Sequence, residues 1–205
     1  VVPEGLSMHS ESSKDFNQCF IVPNLEARGD FDIIAAFENL KTSVSEDGAS
    51  GISLGIILTD DLSTHCNLYR GMVRRPGADD RQTAHLYVHR TKAKEARQAW
   101  SGNIAEESNS GRLRLVRHGR MLHCLIAEGD SPHFRLVCSE EVPGDSSILG
   151  GIRLIVHGHA SETSVVIKNI EVRAAELSGP ATENPEQQLA ELNQRHLQQR
   201  PGGQE

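Results

Sequence analysis

In the segment His85-Leu86-Tyr87-Val88-His89, a period of two puts His85, Tyr87 and His89 on one side of a strand and Leu86 and Val88 on the other. Two imidazoles and a phenol in a row could ligate zinc or copper, or could hydrogen-bond a polyhydroxylated ligand. Metal ligation needs a further donor at fixed spacing, and the segment lacks the Glu of the helical H-E-x-x-H pattern, so no metal site is expected. His157 and His159 repeat the spacing, again without a Cys or carboxylate beside them. Asn67 and Tyr69 alternate in the same way in CNLYRGMV. A sugar ring offers an apolar C–H side to aromatic rings and hydroxyls to planar polar groups. The set Asn67, Tyr69, His85, Tyr87, His89 and Trp100 is therefore the expected ligand-binding face, and it holds the whole Trp and Tyr complement of the chain.

Catalytic chemistry finds less support. Asp30 and Asp32 have the same-side spacing of paired carboxylates, but Asp30 follows Gly29 where a segment opens, a position that suits turn capping. Ser-His-Asp chemistry on a strand-to-helix elbow is not expected. Neither G-x-G-x-x-G nor a P-loop occurs, so no nucleotide cofactor is expected. The pairs Asp60, Asp61 and Asp79, Asp80 read as solvated turns, not as an evenly spaced calcium loop. Cys19, Cys66, Cys124 and Cys138 stand singly without C-x-x-C, which reads as buried thiols, although Cys124 and Cys138 could lie on adjacent strands. Arg70, Arg74 and Arg75 read as charges protecting an exposed strand edge.

These residues need a scaffold, and the sequence suggests an all-β one. Phe31, Ile33, Ala35 and Phe37 alternate with more polar neighbours over Gly29 to Leu40, and Ile52, Leu54, Ile56 and Leu58 form a second inward set. These two segments are expected to pair as a hairpin. Similar runs begin at Cys66, His85, Arg112, Met121, Phe134, Ile152 and Ser164, with another near Phe16 to Val22. His118 and Gly119 mark a tight hairpin between the runs at Arg112 and Met121. TKAKEARQAWSGN is expected as a short surface helix or a crossover loop. No amphipathic helix alternates with the strands, which favours an antiparallel sandwich over parallel crossover units. Past Leu177 the chain turns polar, and Asn184, Pro185 and Gln187 suggest a helix start for a marginal helix over 185–199.

A formal charge of −7, from 21 Lys and Arg against 28 Asp and Glu, opposes the phosphate contacts of nucleic-acid proteins. No apolar run is long enough to span a bilayer and no signal-peptide pattern opens the chain. A chain starting at Val1 is expected to be a mature product or an excised domain.

The motifs GDFDIIAAFENL, SLGIILTD, GRLRLVRHGRMLHCLIAEG and SVVIKNIEVRAAEL together resemble the concanavalin A-like lectin/glucanase superfamily. Bacterial members open the sandwich on Gly-Asp-Phe, here Gly29, Asp30 and Phe31. They carry an Arg-x-Gly hairpin, here Arg117, His118 and Gly119, and close on a strand like the one from Ile167 through Asn169, Ile170, Glu171 and Val172. The resemblance implies a two-sheet jelly-roll sandwich over residues 16–177, between an N-terminal extension (1–15) and a polar tail or linker (178–205). It is closest to uncharacterised bacterial domains. The glucanase strand Glu-x-Asp-x-x-Glu is missing, so no catalytic residue is assigned. The expectation is a non-catalytic domain of a larger bacterial protein, in an extracellular or cell-envelope setting, binding carbohydrate through one sheet face. The alternatives are a scaffolding module that packs against neighbouring domains, and a divergent glycoside hydrolase.

Overall fold

The computed structural model describes residues 5–11, 17–23, 25–43, 48–58, 64–74, 81–90, 95–103, 108–142, 148–158 and 161–179. The expected tail helix and the Asp60, Asp61, Asp79, Asp80, Arg75 and His159 positions lie outside them. The strands are β1 (Leu6–Ser10), β2 (Asn17–Ile21), β3 (Glu26–Thr42), β4 (Gly48–Leu58), β5 (Thr64–Arg74) and β6 (Arg81–Arg90). They continue as β7 (Glu95–Asn103), β8 (Gly111–His118), β9 (Met121–Glu128), β10 (Arg135–Glu141), β11 (Ile148–Gly158) and β12 (Thr163–Ser178). No helix occurs among the described residues, and every strand pair is antiparallel. The protein is an all-β antiparallel sandwich.

The first layer runs β10-β9-β8-β3-β12-β1 and the second β2-β11-β4-β5-β6-β7. Ile148 and Leu149 of β11 also pair with Arg28 and Ala27 of β3, which links the two layers. Alternation decides what each layer buries. Phe31, Ile33, Ala35 and Phe37 of β3 meet Leu113 and Leu115 of β8 and Leu122, Cys124 and Ile126 of β9 in one core. Ile52, Leu54 and Ile56 of β4, Leu68 of β5 and Ile152, Leu154 and Val156 of β11 close it from the other layer.

Several expectations need correction. The segments at Gly29 and Ile52 do not form a hairpin: β3 is flanked by β8 and β12, while β4 lies between β11 and β5 in the opposite layer. Both edges of β3 are thus occupied, and its apolar side needs a facing sheet, which β4 helps to provide. TKAKEARQAWSGN contributes β7, not a helix, because pairing with β6 outweighs the helix propensity of its Ala, Lys and Glu residues. The β8–β9 turn is closed by the pair His118–Met121, so its two residues are Gly119 and Arg120. Gly119 has φ 57°, the left-handed backbone that such a turn requires. Leu6–Ser10, expected as part of an extension, adds β1 along the edge of β12. Cys124 and Cys138 do lie on adjacent strands, and no cysteine is joined in a disulfide. Cys66 and Cys124 are buried, whereas Cys19 and Cys138 are only partly so.

Candidate functional site

The residues singled out by alternation fall on neighbouring strands of the second layer, with Asn67 and Tyr69 on the outward side of β5. The register aligns Ile155, Ser53, Tyr69, His85 and Trp100 across five strands. The next row aligns Arg153, Gly55, Asn67, Tyr87 and Gln98, and His89 pairs with His65 one row further. All six expected positions therefore fall in three successive rows.

Glycine and serine make the floor of this face. Gly51, Ser53 and Gly55 point outward from β4 because their neighbours Ile52, Leu54 and Ile56 point in. A Cβ at Gly55 would collide with Oδ1 of Asn67, so the Asn67 amide occupies the space that a side chain would take. A Cβ at Gly71 would meet the Ser50 carbonyl and the Tyr69 phenol, which shows that the ring lies flat along its own strand over Gly71. Tyr69 is only 3% exposed, and its hydroxyl lies 2.9 Å from the carbonyl of Ser50 and 3.1 Å from that of Met72. Burial raises the phenol pKa well above its ordinary value, partly opposed by the positive charge of Arg70. Tyr69 thus builds the floor instead of standing up as a platform.

Beside it, the His157 ring centroid is 5.0 Å from that of Tyr69, and its Nε2 is 3.1 Å from Ser53 Oγ. Gly51-Ile52-Ser53-Leu54-Gly55 has G-x-S-x-G spacing, contrary to the expectation that the chain carries no such segment. A serine next to an imidazole has the contact of a nucleophile and its base. Ser53, however, is 4% exposed in the middle of β4, a strand paired on both sides along its ladders, where the strained elbow and spare amides of a serine hydrolase have no place.

Arg153 was also missed. It lies opposite Gly55, and its Nε–H is buried with no hydrogen-bond partner among the described residues. Desolvation lowers the pKa of its guanidinium. Its sequence signal was a charge within the apolar run IRLIVHG, at an outward position of a strand.

The remaining charged groups are committed elsewhere. Asp30 Oδ1 accepts the Gly119 N–H at 2.7 Å and Oδ2 meets His118 Nδ1 at 2.8 Å, so Asp30 caps the β8–β9 turn. Asp32 takes a bidentate contact from Arg114, with Nε at 2.8 Å and Nη2 at 2.7 Å. Arg70 does not guard an edge, since β5 is an inner strand. It points into the core and is 2% exposed, because Glu128 supplies a matching charge. A cleft of about 410 Å³ opens on the outer side of the first layer, with Ala36 and Gly111 in its floor. Two of its charged residues have partners: Lys168 pairs with Glu38 at 3.3 Å, and Arg112 donates to the Ser131 carbonyl while lying over the Phe134 ring. Among the described residues no group of three or more His, Cys, Asp and Glu could hold a metal.

The chain belongs to a family described as protein of unknown function (DUF1583) C domain, matched over residues 1–201. No curated protein matches it. Among solved structures it is similar to the VIP36 exoplasmic/lumenal domain in its Ca²⁺/Man3GlcNAc-bound form, with 8% identity and a TM-score of 0.50 over 91% of this chain and 88% of that one. It is also similar to a legume lectin-like domain from Entamoeba histolytica, with 9% identity and a TM-score of 0.44 over 83% and 90% of the two chains. A carbohydrate-binding module, CBM66 from Bacillus subtilis, is 12% identical with a TM-score of 0.42 over 79% and 84%. At 8% identity the likeness to the VIP36 domain bears on the sandwich fold alone.

Proposed function

We propose that the protein is a non-catalytic carbohydrate-binding domain whose ligand lies across the outer side of the second layer. One observation carries this reading: Arg153 holds a buried, unpartnered Nε–H opposite the glycine over which the Asn67 amide leans. A buried polar group without a partner costs about 1–3 kcal/mol. A ligand hydroxyl pair would offset that cost. Guanidinium and carboxamide are planar, the geometry that suits adjacent sugar hydroxyls. In this reading Asn67 and Arg153 bind hydroxyls, Tyr69 and Ser53 support the floor, and His85, Tyr87, His89 and Trp100 extend the face along neighbouring strands. The domain acts in an extracellular, lumenal or cell-envelope setting; the VIP36 structure, an exoplasmic/lumenal domain, accords with this.

The test is glycan-array screening of the full chain, followed by calorimetry on the best hit. Arg153→Ala, Asn67→Ala and Trp100→Ala are each expected to weaken binding at least tenfold while thermal unfolding stays close to wild type. Failure of every glycan to bind, or full affinity in all three folded variants, would favour a scaffolding module instead.

A further inference from the structure

Cys138 is the register partner of Cys124 across the β9–β10 ladder, and a register shift between Leu136 and Cys138 separates it from the preceding pair. Both residues sit on the core side: Cys124 is fully buried between Leu122 and Ile126, and Cys138 packs against the same cluster. Directly opposed residues in an antiparallel pair have Cα atoms about 4.5–5.5 Å apart, inside the roughly 4.4–6.8 Å range of disulfides.

We infer that Cys124 and Cys138 are a dithiol that closes to a cross-strand disulfide when the protein meets a small-molecule disulfide. Cys138 is the point of entry. It is partly exposed on β10, the outer strand of its layer, while Cys124 is enclosed. A hydrogen bond with Cys138, together with burial, holds the Cys124 thiol well above its ordinary pKa, so Cys124 is not the first nucleophile. The Cys138 thiolate attacks one sulfur of the small disulfide and expels a thiolate, leaving a mixed disulfide. Cys124, losing its proton to that thiolate, attacks the Cys138 sulfur and expels the second thiolate. Two protein thiols are oxidised to one disulfide, and one small disulfide is reduced to two thiols. Cys66 is the competitor, close enough for its charge to raise the Cys124 pKa, but it lies on β5 in the opposite layer.

The experiment incubates the reduced full chain with glutathione disulfide, quenches with acid, alkylates, and maps peptides without reduction. Two of the four thiols should be lost and one Cys124–Cys138 link recovered. Cys138→Ser should abolish that link and Cys19→Ser should leave it intact. The oxidised protein should also unfold at a higher temperature than the reduced one. A link through Cys66 or Cys19, a glutathione adduct stable on Cys138, or four unreacted thiols in protein that remains folded would each overturn the inference.

Discussion

Arg70 of β5 and Glu128 of β9 join the two layers through the core, with Nε to Oε1 at 3.0 Å and Nη2 to Oε2 at 3.2 Å. Arg70 Nη2 also donates to the Ser108 carbonyl at 3.1 Å, which leads into β8. Removing one partner strands a buried charge, so Arg70→Met and Glu128→Leu should each destabilise the fold by about 3–5 kcal/mol. The double variant, with neither charge present, should lose much less than the sum of the two. Urea unfolding of all four proteins measures the coupling, and strict additivity would show that the contact is energetically idle.

Asp30 ties the β8–β9 turn to the opening of β3. Its carboxyl is held below the ordinary value, first by the Gly119 N–H and also by a hydrogen bond with His118, against some desolvation. A depressed folded pKa means that the contribution is present above the unfolded value of about 3.9 and lost as pH falls through the folded value. Asp30→Asn should therefore lower the thermal midpoint at pH 7, and the gap from wild type should close towards pH 2. Carboxyl NMR titration should place Asp30 below the exposed aspartates; a midpoint at or above theirs would refute the turn-capping role.

Gly55 and Gly71 should respond differently to an added methyl group. At Gly71 a methyl group meets the Ser50 carbonyl and the Tyr69 phenol, so Gly71→Ala should cost about 1–3 kcal/mol through overpacking. At Gly55 the nearest atom is the end of the Asn67 side chain, which can rotate away. Gly55→Ala should stay close to wild-type stability yet weaken glycan binding. Equal losses of stability in the two variants would contradict the assigned packing.

Tyr69 should resist alkali. Its phenol pKa is raised by burial, so the protonated form belongs to the folded state, and the associated stability is present below the unfolded value of about 10 and lost as pH rises above it. Following phenolate absorbance in wild type and Tyr69→Phe should assign to Tyr69 a transition that coincides with unfolding. Ionisation of Tyr69 in protein that is still folded would disprove its enclosure.

The strand pattern was legible because the inward sets of the long strands β3 and β4 are strongly apolar, from Phe31 to Phe37 and from Ile52 to Leu58. Which strands pair was less so. The period of two gives a face for each strand but no neighbour, and the β3–β12 ladder joins residues such as Phe37 and Ile167 that are far apart in sequence. The alignment of Tyr69 with His85 and of Asn67 with Tyr87 followed from alternation once β5 and β6 became neighbours. Arg70 and Arg153 could not be placed in the same way. Composition counts an arginine as a surface residue, and only the facing strand reveals that Glu128 waits for Arg70 and that no described residue accepts from Arg153 Nε.

The ladder between β3 and β12 also imposes an order on biosynthesis. A chain emerging from the ribosome presents β3 long before Thr163–Ser178 exists, and until then one flank of the central strand in that layer has unsatisfied amides along almost its whole length. Contacts of such long range close slowly. The nascent protein must therefore keep a long, apolar strand from pairing with other chains until β12 arrives, which makes this flank the place where misassembly would begin.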